Sequence, residues 1–253
     1  LNPDPFSALF AELGRLALLD RLEREVRRRG YPFVAGVDEA GRGSLAGPVV
    51  AAAVILPEGC VLPGLDDSKK LDAPSRERLD VEVRRHAIAY AVGVVPARAI
   101  DVRDILRASL AAMKVAVLAL RPEPEVVICD AVTVPGIRRP QLAVIHGDAL
   151  CASIAAASIV AKVYRDRLLC DLGERYPAYG FEHHKGYGTP EHWHALRLYG
   201  PCAEHRLTYR GVVIDRDWVD ETSDEGASDR RAARGFRRRG PARIANLGLE
   251  FPE

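Results

Sequence analysis

Asp38 and Glu39 stand side by side just before the turn Gly41-Arg42-Gly43, and two further carboxylates, Asp130 and Asp148, each follow a short apolar run. Carboxylates are hard oxygen ligands suited to Mg2+ or Mn2+. Such ions are held by a few acidic side chains, keep some waters and take their remaining ligands from substrate phosphates. Four carboxylates converging on one place would resist burial unless cations lay between them. Taken alone, an Asp-Glu pair is more often an inert, solvated strand end than a site. The context shifts that balance, because Asp130 and Asp148 come just after runs of parallel-strand type. In α/β sheets, active sites gather outside the carboxyl ends of the strands.

The same turn supports a competing chemistry. Gly41-x-Gly43-x-x-Ala46 after a strand satisfies the dinucleotide-binding fingerprint in form. That fingerprint needs a helix to begin at the glycines so that its N-terminus receives a pyrophosphate. Pro48 and the β-branched run PVVAAAVIL instead read as a returning strand, and Asp38 and Glu39 would repel a bare pyrophosphate. A nicotinamide-dependent enzyme is therefore disfavoured.

The elements that must carry these residues follow from periodicity. FVAGVDEA reads as a strand and PVVAAAVIL as its hairpin partner, with a third strand in Ala87 to Val95. Apolar spacing predicts helices over Ile100 to Leu120 and over Ser153 to Leu172, the second alanine-rich enough in its first half to lie close against a sheet. Glu125 to Cys129 and Gln141 to Ile145 are short apolar runs of the buried parallel type. Pro5 to Arg29 repeats apolar residues at helical spacing and ends in arginines before Gly30, which makes a leading helical appendage. Strands first as a meander, then alternating with helices, predict an α/β domain with a mixed central sheet. The expected divisions are a helical N-terminal extension (1–30), a catalytic domain (31–214) and a charged tail (215–253). In the tail an acidic stretch precedes an arginine block with little apolar material, which predicts disorder.

Composition sets outer limits. With 253 residues, 48% of them hydrophobic, the chain can bury one sizeable core. No apolar run approaches a membrane span and no signal peptide is evident, so a cytoplasmic monomer with no membrane association is expected. Five cysteines without a C-x-x-C pair support neither a disulfide framework nor a thiolate zinc site. A net charge of +1 means that any nucleic-acid binding must come from a local patch.

In order and spacing, DEAGRGSLAGPVVAAAV, DSKKL, CDA, GDALCASIAAASIVAKVYRDRL, HHKGYGT and GPCAEHR resemble type 2 ribonuclease H, the ribonuclease HII family, from about Gly30 to about Val213. The resemblance implies a ribonuclease H-like fold, a two-metal site of Asp-Glu-Asp-Asp type loaded with Mn2+ or Mg2+, and endonucleolytic cleavage of RNA paired with or joined to DNA. By motif, the catalytic and metal-binding residues are Asp38, Glu39, Asp130 and Asp148. Ser44 departs from the family by standing where proline often follows the GRG turn. Alanines follow Asp130 and Asp148, where glycine or a polar residue is common after the first.

In a two-metal scheme one ion prepares a water for in-line attack and the other stabilises the leaving 3′ oxygen, which leaves 3′-hydroxyl and 5′-phosphate ends. Asp38, on the rigid first strand, is the expected bridging ligand. RNA is told from DNA by its 2′-hydroxyl, and Gly41 and Gly43 permit the close backbone approach that reads it. Arg42 between them would support the turn or a phosphate. Tyr187 resembles the family residue that packs against the sugar after the ribonucleotide; without the resemblance it reads as a half-buried core tyrosine. Lys69 and Lys70, two of only five lysines, form a candidate phosphate clamp, joined by Lys185. His183, His184, His192 and His194 lie in what reads as a loop with Gly186, Gly188 and Pro190, and a zinc cluster there is disfavoured. His205 and Arg206 are expected to cap or bridge loops, with a phosphate contact as the alternative.

The expected substrates are RNA-DNA hybrids and duplex DNA with embedded ribonucleotides, met in ribonucleotide removal and primer processing. A hybrid-binding protein without catalysis is the alternative, and the intact carboxylates oppose it. In the tail, NLGLEF (Asn246 to Phe251) resembles the short motif by which replication and repair proteins dock on the bacterial sliding clamp, with Asn246 where glutamine is usual. Chance apolar residues in a tail are the competing reading.

Overall fold

The computed structural model describes residues 4–213, all within one compact unit. The expected disordered tail and its NLGLEF segment lie outside the described residues. Five strands, β1 (Val34–Ala40), β2 (Val49–Ile55), β3 (Ala89–Val95), β4 (Val126–Asp130) and β5 (Gln141–Val144), form one sheet in the order β3-β2-β1-β4-β5. β1, β2 and β3 pair as an antiparallel meander, while β4 joins β1 and β5 joins β4 in parallel, so the sheet is mixed as expected.

Strand alternation sorts the core into two layers. In β2, Val49, Ala51, Ala53 and Ile55 face α5 (Ile105–Ala119), with Ala108, Ala112, Met113 and Ala116 opposite them. Val50, Ala52 and Val54 face the other way, onto Ala155, Ala156, Ile159 and Val163 of α7 (Ala152–Arg175). Small residues let both helices approach closely. A Cβ built on Gly93 of β3 would stand 2.0 Å from the Ala112 carbonyl oxygen, and one on Gly36 of β1 would stand 2.2 Å from the Ser153 carbonyl carbon.

Several expectations need correction. The leading helix is two helices, α1 (Pro5–Leu19) and α2 (Arg21–Arg28), broken at Asp20, and α2 buries Val26 in the same cluster as Val34, Ile128 and Ile154. The helix expected over Ile100 to Leu120 is also split, into α4 (Ala97–Arg103) and α5, by Asp104 at φ 79°, whose carboxylate caps the Arg107 N–H. β5 is not a buried strand but a half-exposed edge, and Asp148 follows it by one further turn in the short helix α6 (Gly147–Leu150). No sequence expectation covered α3 (Ala73–His86), although Asp72 followed by Pro74 is an ordinary helix start. The segment read as a loop around the histidines holds α8 (Phe181–His184) and α9 (Pro190–Tyr199), the latter capped by Thr189 with Pro190 in its first turn. Among the described residues no helix is long and apolar enough to cross a membrane.

The Gly93 contact gives a direct stability test. Gly93→Ala forces β3 and α5 apart and is expected to lower unfolding stability by about 2–3 kcal/mol, the scale of core overpacking. Gly14→Ala, inside α1 with nothing within 4 Å of the added Cβ, is expected to raise it by up to about 1 kcal/mol. Urea unfolding midpoints at unchanged slope measure both.

Candidate active site

Strand alternation decides where the carboxylates point. Val37 packs on the α5 side of the sheet, so Gly36 and Asp38 face α7; Cys129 packs on the α5 side, so Ile128 and Asp130 face α7 as well. The parallel register sets Val37 opposite Cys129, which makes Asp38 and Asp130 neighbours at the carboxyl ends of adjacent strands. Asp148 enters from α6, which runs directly into the first turn of α7. The Gly147 N–H donates to Asp130 Oδ1 at 2.9 Å, tying Asp148's helix to Asp130. Glu39, one residue beyond Asp38, is only partly buried, and its Oε1 accepts from Arg42 Nη1 at 3.1 Å.

These groups feel one another. Burial pushes the Asp38 carboxyl well above the usual carboxylate range, and the adjacent charges of Glu39 and Asp130 push it further. The Glu39 N–H, 2.8 Å from Asp38 Oδ1, and the Ser158 hydroxyl partly oppose that rise. Ser158 is in turn bonded to the Ser68 hydroxyl at 2.7 Å, so the loop carrying Lys69 and Lys70 is linked through α7 to Asp38. Asp148 is raised by burial and then by Asp67, while Lys69, 3.8 Å away, lowers it. Although burial alone would lower it, the Lys69 ammonium is raised by Asp67, Asp38, Asp148 and Asp130 together.

The remaining candidates fall into two groups. Lys69 is exposed and close to the acidic cluster, whereas Lys70 is paired with Asp66 at 3.0 Å. Lys185 donates to the Glu182 carbonyl and the Cys170 sulfur, and its own backbone lies in the left-handed region at φ 52°. Gly41 and Gly43 prove unlike. Gly41 has φ 93°, and its added Cβ would stand 2.0 Å from Arg165 Nε, so turn geometry and packing demand glycine there; Gly43 has nothing within 4 Å and presents open backbone. Tyr187 is 38% exposed, with Arg165 and Lys162 5.6 and 5.7 Å from its ring centre, and is not a core tyrosine.

Two arginines that sequence reasoning did not assign to the site hold its turn in place. Arg165, fully buried on α7, donates to Ser44 Oγ at 2.6 Å and to the carbonyls of Pro48, Ala46 and Lys185; burial lowers its guanidinium to about 10. Ser44 itself donates to the Gly41 carbonyl, so the serine closes the turn. Arg206 donates to the carbonyls of Gly47 and Arg42, as expected of a residue that bridges loops. Two buried histidines are equally structural. His192 and His205 meet at 3.0 Å between their Nε2 atoms, and burial, reinforced by His192, lowers His205 to about 4.

Among the described residues no three or more His, Cys, Asp or Glu stand in an arrangement that could hold a metal ion as they are. By donor type the set still fits a hard divalent cation. Asp38, Glu39, Asp130 and Asp148 offer only oxygens, and Asp38 and Asp148 are charged at an electrostatic cost that a cation would relieve. Mg2+ and Mn2+ complete their coordination with water and substrate oxygens rather than with an all-protein cage.

A family described as ribonuclease HII matches residues 35–212. The chain is similar to ribonuclease HII of Geobacillus kaustophilus, 54% identical over 194 residues that span 77% of this chain and 74% of the relative. Among solved structures it resembles the ribonuclease H2 of Pyrococcus horikoshii, with TM-score 0.61, 28% identity and coverage of 71% of this chain and 94% of that one. It also resembles the RNase HII of Archaeoglobus fulgidus, solved as a complex with PCNA, with TM-score 0.59, 28% identity and coverage of 70% and 95%. The fold is ribonuclease H-like, a mixed five-stranded sheet flanked by helices.

The contrast between the two glycines yields a prediction. Gly43→Ala is expected to leave the urea midpoint unchanged while lowering cleavage of an RNA-containing duplex roughly tenfold, about 1.4 kcal/mol at the transition state. Activity at the wild-type level in a folded Gly43→Ala protein would show that the open backbone at Gly43 is not approached by substrate.

Proposed function

The chain belongs to the ribonuclease HII family and is a ribonuclease H endonuclease, and on that premise we propose that it cuts the RNA strand of RNA-DNA hybrids and duplex DNA at embedded ribonucleotides, with Asp38, Glu39, Asp130 and Asp148 as its metal-binding catalytic residues. The observation that carries this reading is the buried Asp38, facing α7 beside Asp130 and within reach of the field of Lys69. Its carboxyl is desolvated in a setting that favours a bound cation over a bare charge.

Mg2+ or Mn2+ held by the four carboxylates would supply an activated water and charge stabilisation at the leaving 3′ oxygen, giving 3′-hydroxyl and 5′-phosphate ends. Asp38, backed by the sheet and by the Ser158 hydroxyl, would be the most rigidly held of the four ligands. The chain's own residues select the substrate. Gly43 exposes backbone to the ribose 2′-hydroxyl, and Gly41 keeps the turn against Arg165. Arg42 and Lys69 face substrate phosphates, with Lys70 and Lys185 as outer contacts that exchange Asp66 and the Glu182 carbonyl for the nucleic acid. Tyr187 packs against the sugar beyond the ribonucleotide.

In the cell this activity serves ribonucleotide removal and primer processing, in the cytoplasm and as a monomer. The assembly of the Archaeoglobus relative with PCNA supports a clamp as partner, reached through the NLGLEF segment. The helices α1 and α2 precede the catalytic domain in sequence, and the charged residues 215–253 follow it.

Two outcomes check the reading on duplex DNA carrying one ribonucleotide, assayed with Mg2+, Mn2+ or EDTA. Asp130→Asn preserves volume while removing a ligand's charge, and is expected to fold normally yet lose about 10³-fold in rate, several kcal/mol of metal-dependent stabilisation. Normal turnover in that variant, or cleavage that persists in EDTA, refutes the assignment. Tyr187→Ala is expected to slow cleavage at the single ribonucleotide roughly tenfold while changing all-DNA duplex affinity less than about twofold, since phosphate contacts dominate non-specific binding. Equal losses in both would reduce Tyr187 to a structural role.

A further inference from the structure

Glu23 is a carboxylate that the nuclease site does not use, and it is fully buried. It sits on α2, twelve residues before the matched family region begins at residue 35. Its Oε1 accepts from the Ser153 N–H at 2.7 Å and from the Cys151 thiol at 3.1 Å. Its Oε2 pairs with Arg27 Nη2 at 3.1 Å, and Arg27 is itself held by Asp20 and by the Leu56 carbonyl at the end of β2.

This geometry makes Glu23 the cap of another element. The α7 N-cap position is Cys151, whose side chain makes no capping bond, so the first-turn N–H of Ser153 would otherwise be orphaned in the core. A carboxylate at a helix N-terminus satisfies that donor and complements the helix dipole. The capped junction is also the end of α6: the Cys151 N–H donates to the Gly147 carbonyl at 2.8 Å, and Asp148 lies between those two residues. On the opposite side the junction is wedged against β1, where the Ser153 and Ile154 backbone leaves no room for a side chain on Gly36, two residues before Asp38.

We propose that Glu23 is a positioning residue for the nuclease reaction: acting from the N-terminal helix pair, it locks the α6–α7 junction and so sets where Asp148 stands relative to Asp38 and Asp130. The proposal rests on Asp148 being a metal ligand. It gives the leading helices a role in the chemistry, since they supply a charge that the matched region needs at the start of its central helix. Groups that hold ligands in place commonly alter metal affinity when removed, even though they never touch the ion.

The test compares Glu23→Ala, Glu23→Asp and Val26→Ala in the full chain, reading Mn2+ binding to metal-free protein by calorimetry, kcat and KM on duplex carrying one ribonucleotide, and Tm. Val26→Ala removes core packing from the same helix and serves as the control for lost stability alone. Glu23→Ala is expected to weaken Mn2+ binding and lower kcat roughly tenfold each, with KM unchanged. Glu23→Asp keeps the charge but withdraws the oxygen from Ser153, so it is expected to show a smaller loss of the same kind and keeps the test open if the alanine variant does not fold. Val26→Ala is expected to lower Tm without moving Mn2+ affinity. If the folded Glu23 variants lose only Tm, as the control does, the proposal is overturned. Asp148→Asn separates the two layers: wild-type Mn2+ binding in that variant overturns the site reading itself, whereas impaired binding there with normal binding in the Glu23 variants overturns only the role of Glu23.

Discussion

The contact on which the rest of the molecule depends is backbone against backbone, where the first turn of α7 lies on β1 at Gly36. No side chain separates them, so the helix comes nearer to the sheet than ordinary packing allows, and Ala155, Ala156, Ala157 and Ala161 keep it near along its length. Everything that converges on the site is hung from this pair. Asp38 lies two residues along β1 on the face that Gly36 presents. Ser158, a turn and a half along α7, reaches Asp38; Arg165, two turns further, reaches the glycine turn. Asp148 precedes the same helix by four residues. Displacing α7 would therefore move Asp148, the hydroxyl that bonds Asp38 and the glycine turn together.

A second constraint joins distant pieces of chain around that turn. Arg165 and Arg206 are long, buried cations whose partners are mostly carbonyl oxygens rather than carboxylates. A guanidinium presents five donors in a fixed fork, so each arginine fixes several backbone positions at once. Between them they knit residues 41–48, the 185–187 loop and the 204–209 segment, with Leu45 N–H to Gly186 O and Arg206 N–H to Leu45 O closing the weave. Burial lowers both arginines, yet Arg165 at about 10 stays charged near neutral pH. Its proximity to the Tyr187 ring and to Gly41 means that the tyrosine and the turn are registered to one another by a single side chain.

How much of this was legible in sequence differs by kind of interaction. The first two strands of the meander were readable because a glycine turn joins their apolar runs, and the third because its apolar run stops at Pro96. Asp130 and Asp148 stood out because each follows a short apolar run, and Asp38 and Glu39 because they directly precede a glycine turn. The breaks at Asp20 and Asp104 were hidden by continuous apolar periodicity, though each aspartate is a residue type that caps helices. The start of α9 was equally marked by Thr189-Pro190-Glu191 and was obscured by the glycines before it. Arg165 was not legible at all. It sits in YRDRL among other charges, and only the tertiary position of Pro48, Ala46 and Ser44 distinguishes it from Arg167, which lies largely on the surface. Glu23 was masked in the same way, one of two glutamates in an arginine-rich helix where Glu25, with Arg28 and Arg29 beside it, lies on the surface.

The electrostatics of the site and the stiffness of its frame are two sides of one requirement. Asp38 and Asp148 are both pushed toward protonation by burial and by acidic neighbours, and the cations at hand, Lys69 beside Asp148 and Arg42 beside Glu39, are exposed and only partly offset that repulsion. Left to relax, such a cluster would spread until water screened it. What prevents this is uncharged: the glycine contact at β1, the hydroxyl pair Ser68–Ser158 behind Asp38 and the Gly147 N–H on Asp130. The fold thus holds negative charges closer than they would choose, and a divalent cation would relieve that enforced proximity more fully than a monovalent one.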